Sequence, residues 1–232
     1  MMREIVLDTE TTGLDPSKGH RVVEIGAVEI GNLIPTGRTF HVYIDPERDM
    51  PEEAFRVHGL SREFLAEHKK FAEVVHGFRE FVDGARLIIH NAEFDVRFLN
   101  AELARLDLPP IEMANVVDTL ALARRRHPGA SNTLDALCQR YGVDTSRREK
   151  HGALLDSYLL AEVYAELMGG RQTAMSLSVE RKVAAQSNVQ LLRQRPAPLG
   201  SRLTAREDEA HRAFAISLGK TPIWKRYFSE DA

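Results

Sequence analysis

Three β-rich runs stand at the head of the chain, and after them helical and strand patterns alternate. Residues 3–8 read as a first strand with Ile5, Val6 and Leu7 at its buried centre. RVVEIGAVEIGN (21–32) is rich in β-branched residues and closes on Gly-Asn, a turn signal. GRTFHVYIDP (37–46) alternates and stops at Pro46. Runs this close together predict a three-stranded antiparallel start.

The rest reads as helices interrupted by two further strands. PEEAFRVHGLSREFLAEH offers helix starts at Pro51 and Ser61 and a break at Gly59. Phe71, Val74, Val75, Phe78 and Val82 share one helical face. ARLIIHN (85–91) is a buried strand, and EFDVRFLNAELARL (93–106) is an amphipathic helix ending before Pro109-Pro110. NVVDTLALARRRHPG is a short strand running into a helix, and NTLDALCQRYGV is a helix stopped by Gly142. A long helix over 151–170 ends at Gly169-Gly170. This order predicts one α/β domain over roughly residues 1–170.

The texture then changes. Residues 171–202 have weak periodicity and a Pro-rich end, the pattern of a flexible linker. LTAREDEAHRAFAISL resembles a capped helix, and GKTPIWKRYF carries the only Trp. A tail over 203–232 is too short for a core of its own, so it must dock on something. Charge divides the same way. Residues 171–232 hold eleven Lys/Arg and six Asp/Glu, which leaves 20 basic and 28 acidic side chains in 1–170, a net of −8. So acidic a body binds phosphates poorly by its own charge, and bound cations should supply part of any attraction. The single cysteine, Cys138, lies in a helical pattern and excludes an intrachain disulfide, which predicts a cytosolic protein. No apolar run is long enough to span a bilayer, and the N-terminus lacks a signal-peptide pattern.

The chemistry-bearing residues are acidic. Asp8 and Glu10 stand at the end of the first strand, two apart and so on one face. Like charges so close repel, and burial makes this worse. Asp95 follows the strand LIIHN, and Asp156 lies in the last long helix. Carboxylates converging from neighbouring elements suit Mg²⁺, and a pair of such ions stabilises both oxygens of an in-line phosphoryl displacement. Positions i and i+5 on a helix differ by about 140°. His151 can therefore join Asp156 at one site only from a loop or the first turn, where Gly152 gives freedom.

Asp8-Thr-Glu10-Thr-Thr-Gly13, His90-Asn91-Ala-x-Phe94-Asp95 and His151-x4-Asp156 together resemble the three exonuclease motifs of the DEDDh family of 3′→5′ exonucleases. The resemblance implies a ribonuclease H-like fold, a mixed sheet flanked by helices, with a C-terminal tether and helical tail. It implies hydrolysis of 3′-terminal nucleotides to nucleoside monophosphates with two Mg²⁺ or Mn²⁺ ions. Carried over residue by residue, Asp8 bridges both metals, Glu10 and Asp156 hold the water-activating metal, and Asp95 positions the second. His151 becomes the general base. Thr11 and Gly13 approach the terminal nucleotide, although a plain turn explains the threonines equally well. Asn91 and Phe94 shape the strand-to-helix turn and the cleft, with Phe94 equally suited to the core. For His58-Gly59 a structural role ranks first.

The resemblance extends into the tail. QTAMSL (172–177) is similar to a sliding-clamp-binding peptide with Gln172, Met175 and Leu177 as anchors, and Trp224 resembles the anchor that ties such a chain to its polymerase, the alpha subunit of bacterial DNA polymerase III. The implied partners are single-stranded or mismatched DNA 3′ ends, that polymerase subunit and the clamp, with room for a small accessory subunit. The implied location is cytoplasmic, with the replisome at the nucleoid. Two other readings compete: an RNA 3′ exonuclease of the RNase T or oligoribonuclease type, and a non-catalytic subunit bridging clamp and polymerase. The tether disfavours the first, and the intact acidic set disfavours the second.

Overall fold

The computed structural model describes residues 3–146, 150–169 and 204–217. Five strands form one mixed sheet in the order β3-β2-β1-β4-β5. β1 (Arg3–Thr11), β2 (Val22–Gly31) and β3 (Ile34–Tyr43) are the antiparallel start, and β4 (Ala85–Ile89) and β5 (Val116–Asp118) continue parallel to β1. Two boundaries depart from the sequence reading. β1 runs on to Thr11, carrying Asp8 and Glu10 inside the strand. β3 begins at Ile34 rather than 37, with Pro35 inside it, which an edge strand tolerates because one side of its backbone has no ladder to complete.

The helices lie on both faces. α1 (Glu52–His58) and α2 (Arg62–Ala66) form the predicted broken pair, and Gly59 closes α1 at φ 75°. α3 (Phe71–Val82) and α4 (Ala92–Ala104) cover one face, where Ile5 and Leu7 of β1 pack against Phe71, Phe78, Phe98 and Leu99. α5 (Thr119–Arg126), α6 (Leu134–Tyr141) and α7 (Ala153–Leu167) follow. On the other face Val6, Val28 and Ile88 pack against Leu160 and Tyr164 of α7. The strand's two-residue period thus sends odd positions of β1 toward α4 and even positions toward α7. Asp8 and Glu10 are even.

Close approach of α7 depends on Gly26 of β2, the residue opposite Asp8. A Cβ there would collide with the backbone of Ala153 and Leu154. The space is filled instead by a direct bond, Ser157 Oγ donating to the Gly26 carbonyl at 2.9 Å. This contact seats the first turn of α7 against β2 and β1.

A further helix, α8 (Ala205–Ser217), belongs to a second unit of the chain and matches the capped helix expected there. Thr204 and Glu207 cap it reciprocally: Thr204 N donates to Glu207 Oε2 at 2.9 Å, and Glu207 N to Thr204 Oγ1 at 3.3 Å. Residues 171–202, with the clamp-like anchors Gln172, Met175 and Leu177, lie outside the described residues, as does Trp224.

Candidate active site

The site forms where the carboxyl end of β1 meets the first turns of α4 and α7. Asp8 and Glu10 project toward α7 from the strand. Asp156, in the first turn of α7, is 3% exposed. Asp95 arrives from the other face of the sheet, in the first turn of α4. Thr9 brings it across: its backbone N–H and its hydroxyl both donate to Asp95 Oδ1, at 3.1 and 2.7 Å. Thr9 therefore positions a carboxylate that comes from the opposite face of the sheet.

His151 lies before α7, whose N-cap is Gly152. It is thus off the helix, as the 140° offset requires, and its Nδ1 is 3.2 Å from Asp156 Oδ2. Its backbone N–H donates to the carbonyl of Val57 at 3.3 Å, which ties this loop to the end of α1. Donor atoms of Glu10, His151 and Asp156 all lie within 4.8 Å of one another.

Electrostatics describe a cluster built around positive charge from elsewhere. Burial pushes the Asp8 pKa well above the ordinary carboxylate value, and Asp95, Glu10, Asp156 and Glu24 push it further. Burial raises Asp95 to about 7, against the opposing effect of its bonds from Thr9. Oxygen donors in such a set, with one imidazole, fit hard divalent cations, which would cancel the repulsion. The residues present thus fit a divalent-metal site.

Glu24 is the acidic neighbour that sequence reasoning missed. It is opposite Glu10 on β2, 2% exposed, with Oε1 2.8 Å from His41 Nε2. Its signal was present, a lone Glu inside the apolar run VVEIGAV, but only the strand register places it beside Glu10.

A cavity of 470 Å³ opens next to the cluster. It is lined by Glu10 and the Thr11–Gly13 turn, by Phe94 of α4, and by Val57 and His58 at the end of α1. Thr11 spends its hydroxyl on the turn, donating to the Gly13 carbonyl at 2.6 Å. Gly13 faces the cavity, and the space its Cβ would occupy is filled by the His20 ring. Phe94 serves both surroundings, packing tilted against Phe98 with ring centroids 5.0 Å apart while also lining the cavity. His58 is buried, its Nδ1 accepts from Leu60 N–H at 3.0 Å, and burial lowers its pKa. Asn91 adopts a left-handed conformation, φ 62°, and its N–H donates to Asp118 Oδ1 at 3.1 Å, fixing the turn from β4 into α4.

Raised pKa values make the metal-free protein sensitive to pH. Between the ordinary value near 4 and the raised ones, the folded state holds more protons than the unfolded chain. Stability from this cluster is therefore greatest at low pH and falls as pH rises toward 7 and beyond. In chelator, the thermal midpoint is expected to drop from pH 5.5 to pH 8, and Asp8→Asn should shrink that drop. Mg²⁺ or Mn²⁺ at about a hundredfold over its dissociation constant adds about 2.7 kcal/mol, or about 5–10 °C for a chain of this size. Calorimetry across this pH range, with and without metal, checks both signs.

Fold and site together define a class. A family model described as Exonuclease matches residues 5–164, and the chain belongs to that exonuclease family. Its relatives then narrow the kinship: the DNA polymerase III subunit epsilon of Rickettsia conorii is 58% identical over 179 residues, covering 76% of this chain and 78% of the relative. The subunit of the same name from Rickettsia felis is 50% identical over 226 residues, 95% of this chain and 98% of the relative. Among solved structures, the nuclease domain of 3′hExo, a DEDDh family member bound to rAMP, superposes with a TM-score of 0.63 at 17% identity, covering 72% of this chain and 91% of that one. At that identity the likeness is one of fold, and the fold is the ribonuclease H-like one expected.

Proposed function

We propose that this chain is the proofreading 3′→5′ exonuclease of a replicative DNA polymerase, and that Asp8, Glu10, Asp95, Asp156 and His151 carry its hydrolysis. The observation that carries the reading is the convergence of four carboxylates from β1, α4 and α7 beside one histidine, in a chain half identical over nearly its whole length to an epsilon subunit. Two divalent ions bound there, Mg²⁺ or Mn²⁺, would supply the charge that activates water and stabilises the leaving oxygen. Asp8 would contribute to holding both, Glu10 and Asp156 would hold one, and Asp95, steadied by Thr9, would position the other. His151 accepts the proton of the attacking water. Its contact with Asp156 through Nδ1, at 3.2 Å, orients the ring toward the carboxylates. The cavity beside Glu10 takes the terminal nucleotide, with Thr11, Gly13 and Phe94 on its wall and Asn91 fixing the turn from β4 into α4 outside it.

Reaching that cavity requires the terminal nucleotide to leave its stack. Unpairing costs a few kcal/mol and least at a mismatch. With chemistry limiting, a mispaired 3′ end is expected to be trimmed about tenfold or more faster than the paired end of the same duplex. Equal rates in a quenched-flow comparison would sink the proofreading role.

The tail is the tether in this reading. Gln172, Met175 and Leu177 engage the sliding clamp, and the region from about Leu203 to Phe228, with Trp224 as its anchor, engages the polymerase alpha subunit, with a small accessory subunit as a further partner. α8 leaves Phe214 and Ile216 exposed, two apolar side chains available for a partner. Weak contacts joined by a short flexible linker act at effective concentrations on the mM scale. Gln172→Ala with Met175→Ala should weaken the clamp-bound assembly, and Trp224→Ala the polymerase-bound one, with hydrolysis of single strands unchanged. Undiminished pull-down of both partners by these variants would move the docking surfaces elsewhere. Among the described residues no helix is long and apolar enough to cross a membrane, and we place the chain in the cytoplasm with the replisome at the nucleoid.

A further inference from the structure

The His151 ring is 45% exposed, so packing does not fix where it stands. Asp156 meets it at Nδ1. Gly152, which follows it as the N-cap of α7, restrains the backbone little. The place of the ring therefore depends on what holds the chain just before α7.

The end of α1 holds it. The last carbonyls of a helix have no partner within the helix. In α1 the carbonyl of Phe55 accepts from the capping Gly59 N–H at 2.8 Å, and that of Val57 accepts from His151 N–H at 3.3 Å. Lys150, the neighbour of His151, lies across the same turn. Its Nζ stands 5.1 Å from the centroid of the Phe55 ring, a cation–π distance. Its stem crosses Gly59 so closely that a Cβ there would come within 2.7 Å of Lys150 Cδ. Among the described residues Lys150 makes no ion pair, and its charge lies instead over the Phe55 ring, beside the negative end of α1. Phe55 is 38% exposed and Lys150 is exposed, so this contact adds nothing to the core. What it does add is a second attachment of the His151 loop to α1, 95 positions away in sequence.

We propose that Lys150 and Phe55 form a latch that positions His151: their cation–π contact, with the Val57 bond, holds the general base in place without either side chain touching the substrate. The proposal rests on the reading of His151 as the base. Ala54, Val57 and His58 of α1 also line the terminal-nucleotide cavity. The latch thus refers the base to the same element that receives the nucleotide.

The test measures kcat and KM on the full chain with Mg²⁺, for the p-nitrophenyl ester of thymidine 5′-monophosphate and for a single-stranded deoxyoligonucleotide. A cation–π contact on an exposed ring shifts a local equilibrium about two- to fivefold. A small displacement of a reacting group costs up to about a hundredfold. Lys150→Ala and Phe55→Ala should each lower kcat about tenfold on both substrates and move KM less than about twofold. Lys150→Arg keeps a cation over the ring and should restore kcat to within about twofold of the wild type. In a His151→Ala background, Lys150→Ala should change kcat less than about twofold, because a residue that acts through the base has nothing left to position. An undiminished tenfold loss in that background would make Lys150 a structural residue and overturn the latch. A loss confined to KM for the oligonucleotide would overturn it too, by making Lys150 a contact of the strand, as would wild-type kcat in both single variants. Wild-type kcat in His151→Ala removes the base and the latch together, whereas a slow His151→Ala beside an unaltered Lys150→Ala removes the latch alone.

Discussion

Asp8→Asn is expected to lower hydrolysis of a 3′ end at least about a thousandfold while the chain stays folded. Asparagine keeps the size of the side chain and removes its charge. Burial first, and then the nearby carboxylates of Asp95, Glu10, Asp156 and Glu24, raise the Asp8 pKa well above the ordinary value. A metal centre missing that charge loses transition-state stabilisation, and a single electrostatic contact of this kind is worth about 10²–10³ in rate, or about 3–4 kcal/mol. In the role proposed for Asp8, contributing to both ions, the loss would belong at or above the top of that range. The same substitution removes repulsion from the metal-free protein, so its thermal midpoint at pH 8 in chelator should rise above that of the wild type. Loss of rate with gain of stability separates a functional carboxylate from a structural one. Full activity in this variant would end the proposed mechanism, and a fall in both properties would make Asp8 a residue of the core.

His151→Ala should cost about 10²–10⁴ in rate, the scale of general-base catalysis. The ring is 45% exposed on the loop before α7, so its removal leaves no buried void. Metal affinity separates two roles that the geometry permits. The donor atoms of His151, Glu10 and Asp156 lie within 4.8 Å of one another, close enough for the histidine to be a ligand. As the base, His151 can be lost with nearly unchanged Mn²⁺ binding in titration calorimetry. A collapse of that binding would reassign it to the metal.

Local patterns carried much of this architecture. Two-residue spacing puts Asp8 and Glu10 on one face, and the angular offset on a helix keeps His151 off α7 if it is to meet Asp156. Relations between layers were not legible. Thr9 reaches Asp95 across 86 positions of sequence, and nothing local to either residue announces it. Gly26 looks like an ordinary strand glycine until α7 is laid on it. Glu24 becomes a neighbour of Glu10 only through the register of β1 against β2, a quantity fixed by pairing and not by composition. Pro35 argues against a central strand, and the structure shows why it is allowed: β3 is the edge.

The most direct test of the account is the release of nucleotides from a 5′-labelled primer bearing a 3′ mismatch, read in Mg²⁺ and in excess chelator. The account predicts stepwise shortening from the 3′ end with 5′-mononucleotides as product in Mg²⁺, and none in chelator. Shortening that persists undiminished in chelator, or a primer left intact in Mg²⁺ and in Mn²⁺ alike, would contradict it.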